Sequence, residues 1–427
     1  MSESFKSRTG FIMASVGSAV GLGNIFRFPA LAVKYGFMFI IAYAILLFAV
    51  GIPMLSAELA VGRKFSMSAV GSARKISAKT EWIGWLASAN SFVIVSYYCV
   101  LFSMVLLCAV FSYRLYDISV DGASVFKDML YANKPSTEAV LCLVAGWAAV
   151  YLSFGRAEKL GAISTVSVIF AVAIIFLLAF WRGLSLPDQL NSFLRFDTIV
   201  LFNKNFWGDV SGQVFFSLSV AVGAMISYGA FLDKKENIAV CSVIIGICDL
   251  AVSILATIIY ATVPNTDAEG GLLTCFSVYP EAFIQLGRNW VSVSVSFLFY
   301  LSLALLCLDS VIAYLKSITH SLEDKFAVSQ ERSALVVIGT AFFIGFFMLG
   351  GRGSVLLDFA DRVVAKFLTL GVALLETIML GYVLGTKVVA KEMGIKSRGM
   401  AERGFALSIR FFTPTVLVFL FLSEFIF

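Results

Sequence analysis

Charge is scarce in this 427-residue chain, where Asp, Glu, Lys and Arg together make up 14% of the residues; ordinary soluble domains carry about 25%. A water-exposed globular surface is thereby excluded. Histidine is reduced to His320 alone. No His/Cys metal spacing, Gly-rich phosphate loop or paired nucleophile and base occurs, so nothing in the chain points to an enzyme. The basic loops lack interleaved aromatics, which argues against nucleic acid as a partner. The seven cysteines (Cys99, Cys108, Cys142, Cys241, Cys248, Cys275, Cys307) form no CxxC and lie almost wholly in apolar runs, where a thiol serves as a small hydrophobe. Nor does the sequence predict a cleavable leader. The first apolar run carries Asn24 and Arg27 and lacks a clean small-residue exit, so residue 1 is read as the mature start.

What the chain has instead is apolar bulk: 60% hydrophobic residues, 41 phenylalanines and a mean hydropathy of +0.93. Runs long enough to cross a hydrocarbon core of ~30 Å begin near residues 10, 37, 83, 138, 160, 210, 238, 290, 334, 359 and 405. They predict an all-α polytopic membrane protein with eleven spans. The formal charge of +5 sorts by loop. Loops 63–80 and 386–403, with shorter ones on the same side, hold roughly twice the Lys and Arg of the opposite loops. The positive-inside rule then predicts a cytoplasmic N-terminus and, with an odd span count, an external C-terminus in the cell's inner (plasma) membrane. His320 falls where the eighth span leaves the bilayer, and reads as a polar end cap.

The stretch Gly17–Pro29, GSAVGLGNIFRFP, places small residues, an asparagine and an arginine inside the first span. Gly17, Gly21 and Gly23 would also suit a small-residue packing face, but Asn24 and Arg27 are too costly in a span for packing alone. A helix broken there frees carbonyls that can hold a cation and N–H groups that can hold a carboxylate. The sixth span, Gly212–Gly229, is likewise interrupted at Ser217–Gly223. Breaks in matching positions of two halves point to an inverted-repeat transporter with its site at the midplane. Glu58, Tyr97, Tyr98, Asp249, Asp309 and Ser310 are further polar residues inside spans, and carboxylates of this kind suit a hard cation.

With these residues, followed by GIPMLSAELAVGR (Gly51–Arg63), GQVFFSLS and SYG, the chain resembles the neurotransmitter:sodium symporter family over nearly its whole length. The resemblance implies a leucine-transporter-type fold: inverted five-helix repeats with broken helices 1 and 6, expected here at 1–185 and 186–386, and an accessory eleventh span at 387–427 where most members have twelve. The family's Gly-rich opening of the second span is present only as KYGFMF, one residue shorter.

Carried over by position, the resemblance implies two sodium sites. The first comprises the Ala19 carbonyl, Asn24, Ser217 and Asp249 with the substrate carboxylate; the second comprises the carbonyls of Gly17, Val20 and Leu306 with Asp309 and Ser310. Asp249 stands where asparagine is usual, and Asp309 where bacterial members often carry threonine. Each adds a negative charge that either strengthens sodium binding or couples it to protonation. Tyr43, Gln213, Ser217 and Ser253 resemble a chloride site. Asp249 supplies a fixed negative charge beside it, and the reading leans to chloride independence.

Gly21 replaces the aspartate that monoamine members use, which implies an amino-acid substrate. Its carboxylate would meet the Leu22 and Gly23 N–H groups and the Tyr98 hydroxyl; its amino group would meet the carbonyls of Ala19, Phe216 and Ser217 and the Ser219 hydroxyl. The side-chain pocket, Ile94, Tyr98, Phe216, Val222, Ser310 and Tyr314, is mainly apolar and favours a neutral, hydrophobic or aromatic L-amino acid. Arg27 resembles the outer-gate arginine, with Asp361 as its partner through water. At the inner face Asp324 lacks its arginine, since Ser2 and Phe5 stand at the family's arginine and tryptophan positions; Lys6 or Arg8 is within reach of the role. The implied activity is sodium-driven import by alternating access. A proton-coupled transporter of the same fold and a non-transporting membrane receptor for amino acids are the rival readings. Oligomeric state leaves no mark in the sequence.

Overall fold

The structure, a computed structural model, describes residues 21–117, 126, 134–155, 157–263, 275–395 and 399–426. Among these residues every regular element is helical. Chain order runs α1 (23–35), α2 (Phe37–Phe65), α3 (Ala69–Ile76), α4 (Glu81–Val110), α5 (Thr137–Phe154), α6 (Ala157–Ser185), α7 (Phe206–Ser217), α8 (Ala224–Ala230), α9 (Ile238–Thr262), α10 (Cys275–Ile284), α11 (Trp290–Phe326), α12 (Gln330–Phe346), α13 (Gly350–Glu392) and α14 (Met400–Leu422). Polar caps start several of them. The side chains of Ser68, Ser136, Asn237 and Asn289 each accept an N–H from the first turn of α3, α5, α9 and α11, satisfying donors that hydrocarbon cannot.

Eight helices among the described residues are long and apolar enough to cross a bilayer. The three other expected spans account for themselves. The first begins outside the described residues, the sixth is divided into α7 and α8, and the ninth, α12, has 17 residues. The tenth begins at Gly350 rather than near 359, because Gly350 turns the chain at φ +78° directly into helix where the run GGRG reads as loop. This helix also continues past residue 386 to Glu392.

The core is formed where α11 lies along α4 and α6, while α9 packs against α1 and α6. α2 and α8 cross so closely that only glycine fits. A Cβ on Gly62 would lie 1.9 Å from the Ile226 carbonyl oxygen, and one on Gly229 2.3 Å from that of Leu59. This crossing fixes the second half of the broken helix against α2.

Candidate functional site

Between α7 and α8 the backbone leaves the helix at Leu218 and turns through left-handed conformations at Ser219 (φ +53°), Ala221 (φ +63°) and Gly223 (φ +71°). Such a segment survives in a membrane only if its polar backbone is satisfied by protein. The Val220 N–H reaches the Phe215 carbonyl at 3.0 Å. The Ala221 N–H donates to Glu58 Oε1 at 2.6 Å, and Asn90 Nδ2 donates to the Ala221 carbonyl at 3.1 Å. The Val222 carbonyl accepts from Ser91 and from Ser317, the latter at 3.4 Å. Glu58 thus braces the break rather than joining an ion site.

Opposite the break, α1 opens just after Gly21, whose N–H donates to Asn24 Oδ1 at 3.1 Å. Gly17, Ala19 and Val20 lie outside the described residues, so the carbonyls expected of them are not placed. The other members of the first expected ion site come together. Asn24 Nδ2 lies 2.6 Å from Asp249 Oδ1 and 3.0 Å from Ser217 Oγ. Ser217 Oγ also donates to Asp249 Oδ1, and the Tyr43 hydroxyl donates to Asp249 Oδ2 at 2.5 Å. Ser253 Oγ completes the knot, 3.0 Å from Asn24 Nδ2. All five side chains are buried, and Asp249 is the one carboxyl group in the knot.

Gln213, expected with Tyr43, Ser217 and Ser253, directs its amide at α1. Its Nε2 donates to the Gly23 carbonyl at 2.9 Å, and its Oε1 accepts from Arg27 Nη1 at 2.8 Å. Glutamine carries a donor and an acceptor on one planar head, and here it uses both to tie α7 to α1.

For the second expected ion site the structure describes Leu306, Asp309 and Ser310 on α11. Leu306 and Ser310 are buried and Asp309 half-buried. Ser310 Oγ is buried without a hydrogen-bond partner among the described residues.

Around Gly21 gather residues expected to line the substrate pocket. The Leu22 N–H donates to the Tyr98 hydroxyl at 3.2 Å, and a Cβ on Gly21 would sit 2.9 Å from that hydroxyl and 3.5 Å from Ser310 Oγ. The Tyr98 and Tyr314 rings meet edge-on with centroids 6.2 Å apart, and the Tyr314 hydroxyl pairs with Ser219 Oγ at 3.1 Å. The Phe216 ring lies against Gly23, and Ile94 and Val222 are buried. The Phe216 carbonyl is taken by the Ser219 N–H at 3.1 Å.

Above the pocket, Arg27 Nε meets Asp361 Oδ2 directly at 3.2 Å, in place of the water-mediated pair expected. Two further groups fix it. The Tyr97 hydroxyl donates to Asp361 Oδ1 at 3.3 Å, and the guanidinium lies over the Phe216 ring at 5.8 Å. With side chains 8% and 9% exposed, this pair is shielded from screening. At the opposite end of α11, Asp324 Oδ2 accepts the Ser68 N–H at 2.8 Å, and its Oδ1 lies 3.8 Å from His320 Nε2. His320 also stacks against Phe231, centroids 6.2 Å apart. It therefore belongs with the inner-face contact. Lys6 and Arg8 lie outside the described residues.

The family model described as "Sodium:neurotransmitter symporter family" matches residues 2–120 and 127–427. The sodium-dependent transporter MJ1319 of Methanocaldococcus jannaschii is 30% identical over 412 residues, covering 90% of this chain and 82% of that protein. The sodium- and chloride-dependent glycine transporter 2 of Xenopus laevis is 24% identical over 97% of this chain, which spans 63% of that relative's length. Among solved structures, MhsT in complex with L-phenylalanine superposes with a TM-score of 0.89 at 24% identity, over 99% of both chains. That likeness shows the fold.

Proposed function

The chain belongs to the sodium:neurotransmitter symporter family, a family of membrane transporters, and from that premise we propose that it imports a neutral, hydrophobic or aromatic L-amino acid together with sodium, by alternating access and without chloride. The convergence of Asn24, Ser217 and Asp249 between the two broken helices and α9 carries this reading. Oxygen donors around a buried carboxylate suit a hard cation. Sodium there is cargo, joined by the carboxylate of the substrate.

Gly21 supports the amino-acid assignment, because any side chain at that position would press on the Tyr98 hydroxyl where a substrate carboxylate is to be received. The solved relative MhsT holds L-phenylalanine. Here Tyr314 turns its hydroxyl to Ser219, and its ring meets Tyr98 edge-on. Chloride independence rests on Asp249, whose carboxylate takes the hydrogen bonds of Tyr43 and Ser217 that would otherwise hold an anion. The second sodium ion is assigned to Leu306, Asp309 and Ser310 with Gly17 and Val20. Orientation follows the basic loops, with the N-terminus cytoplasmic, the C-terminus external and the Arg27–Asp361 gate facing outward.

Uptake of labelled L-amino acids into proteoliposomes, with an inward sodium gradient against a potassium control, tests this. Sodium-dependent accumulation, competed by phenylalanine and leucine, is expected. Accumulation driven only by a proton gradient would replace sodium with protons, and saturable binding without accumulation would make the protein a receptor.

A further inference from the structure

A second ring of charge lies outward of the Arg27–Asp361 pair. Asp209 stands one turn before Gln213 on α7 and is 7% exposed. Its Oδ2 accepts from the Tyr35 hydroxyl at 2.8 Å and lies 3.4 Å from Lys34 Nζ. Its Oδ1 lies 3.8 Å from Lys366 Nζ, which reaches Asn205 Oδ1 at 3.1 Å. Tyr35 is held in place by an edge contact with Phe206, ring centroids 5.2 Å apart. Lys34 and Tyr35 end α1, Asp209 is on α7 and Lys366 is on α13.

The ring therefore joins the same three helices as the gate beneath it, with the charges exchanged. In the gate the cation is on α1 and the carboxylate on α13. In the ring a single carboxylate on α7 stands between cations on α1 and α13. Removing that carboxylate would do more than delete a bond, because Lys34 and Lys366 would lose the anion they share and their like charges would repel. The Lys366 side chain is 12% exposed and that of Lys34 32%, so solvent screens this repulsion only in part.

We propose that Asp209 is a positioning residue for closure over the substrate site: a second latch that holds α1, α7 and α13 together by bridging two lysines. It acts through the helices that carry Arg27, Gln213 and Asp361, and it rests on the transport reading given above. Opening the entrance by moving α13 away from α1 and α7 requires the ring to part along with the gate.

The test uses purified protein carrying Asp209→Asn, Lys366→Gln or both, with two readouts. Hydrogen exchange of segments 23–35 and 206–217 needs no ligand, whereas release of a labelled hydrophobic amino acid bound in sodium reads the same closure with cargo in place. Asp209→Asn is expected to raise exchange in both segments and to speed release about tenfold. The double variant, with no stranded pair of cations, is expected to return both towards wild type, while the sodium concentration for half-maximal binding stays the same throughout. Lys366→Glu, which sets a second carboxylate beside Asp209, is expected to raise exchange as Asp209→Asn does, and it serves in place of that variant should the asparagine protein not fold. Unchanged exchange in the single variants overturns the latch. So does a double variant no better than Asp209→Asn, which would leave Asp209 a structural hydrogen-bond acceptor only. Absence of sodium-dependent binding in the wild-type protein would overturn the transport reading instead, and exchange would still judge the latch.

Discussion

Asp249 is the residue whose chemistry is most exposed to experiment. Replacing it with serine leaves Tyr43, Ser217 and Asn24 directing donors at a vacated position, and buried donors without an acceptor are costly. Chloride is the available acceptor. Asp249→Ser is expected to lose most uptake in gluconate and to regain at least a tenth of it in chloride, read by exchanging the anion in the uptake buffer. At the gate, Arg27→Ala strands the buried Asp361 carboxylate and its Tyr97 contact. Removing one partner of a buried pair costs about 3–5 kcal/mol, and uptake is expected to fall at least tenfold while sodium binding persists. Asn24, Arg27, Ser217 and Asp249 stood out in the chain because polar groups are scarce in spans and must have a use, whereas Asp361 was picked out by the family resemblance alone. Which neighbours Gln213 serves was not legible, since an amide both donates and accepts and only the fold decides its partners. Lys34, Asp209 and Lys366 gave no signal, since charges near the ends of spans are commonplace.

The broken sixth helix was readable from its serines and glycine, yet its backbone was not. Ser219 and Ala221 carry positive φ without being glycine, and the partners that make this tolerable, Glu58, Asn90 and Ser91, come from other helices far away in sequence. Non-local support of this kind leaves no local pattern. Contact between α2 and α8 is similarly hidden, because Gly62 and Gly229 look like any other small residues until the crossing is seen. Gly229→Ala is expected to lower stability by about 1–3 kcal/mol, visible as a drop in thermal midpoint in detergent. Gly339→Ala, where nothing lies within 4 Å of the added methyl, serves as the control and is expected to leave the midpoint in place.

Across the whole molecule, apolar run length predicted the helices well, because a bilayer fixes the length that each must reach. It misjudged where α13 begins and ends. The sorting of lysine and arginine among loops gives a further outcome: a reporter active only outside the cytoplasm, fused after Phe427, is expected to be active, and the same reporter ahead of residue 1 silent. The knot at Asp249 has one more consequence, in voltage. On the proposed reading, an anion built into the chain stays behind when the cargo leaves, so the positive charge of each sodium ion crosses uncancelled. Each such charge draws about 2.3 kcal/mol from every 100 mV of membrane potential. A carrier that took chloride along would forfeit that contribution ion for ion; on the chloride-free reading proposed above the chain keeps it, and the cell's electrical polarisation adds to the accumulation of substrate.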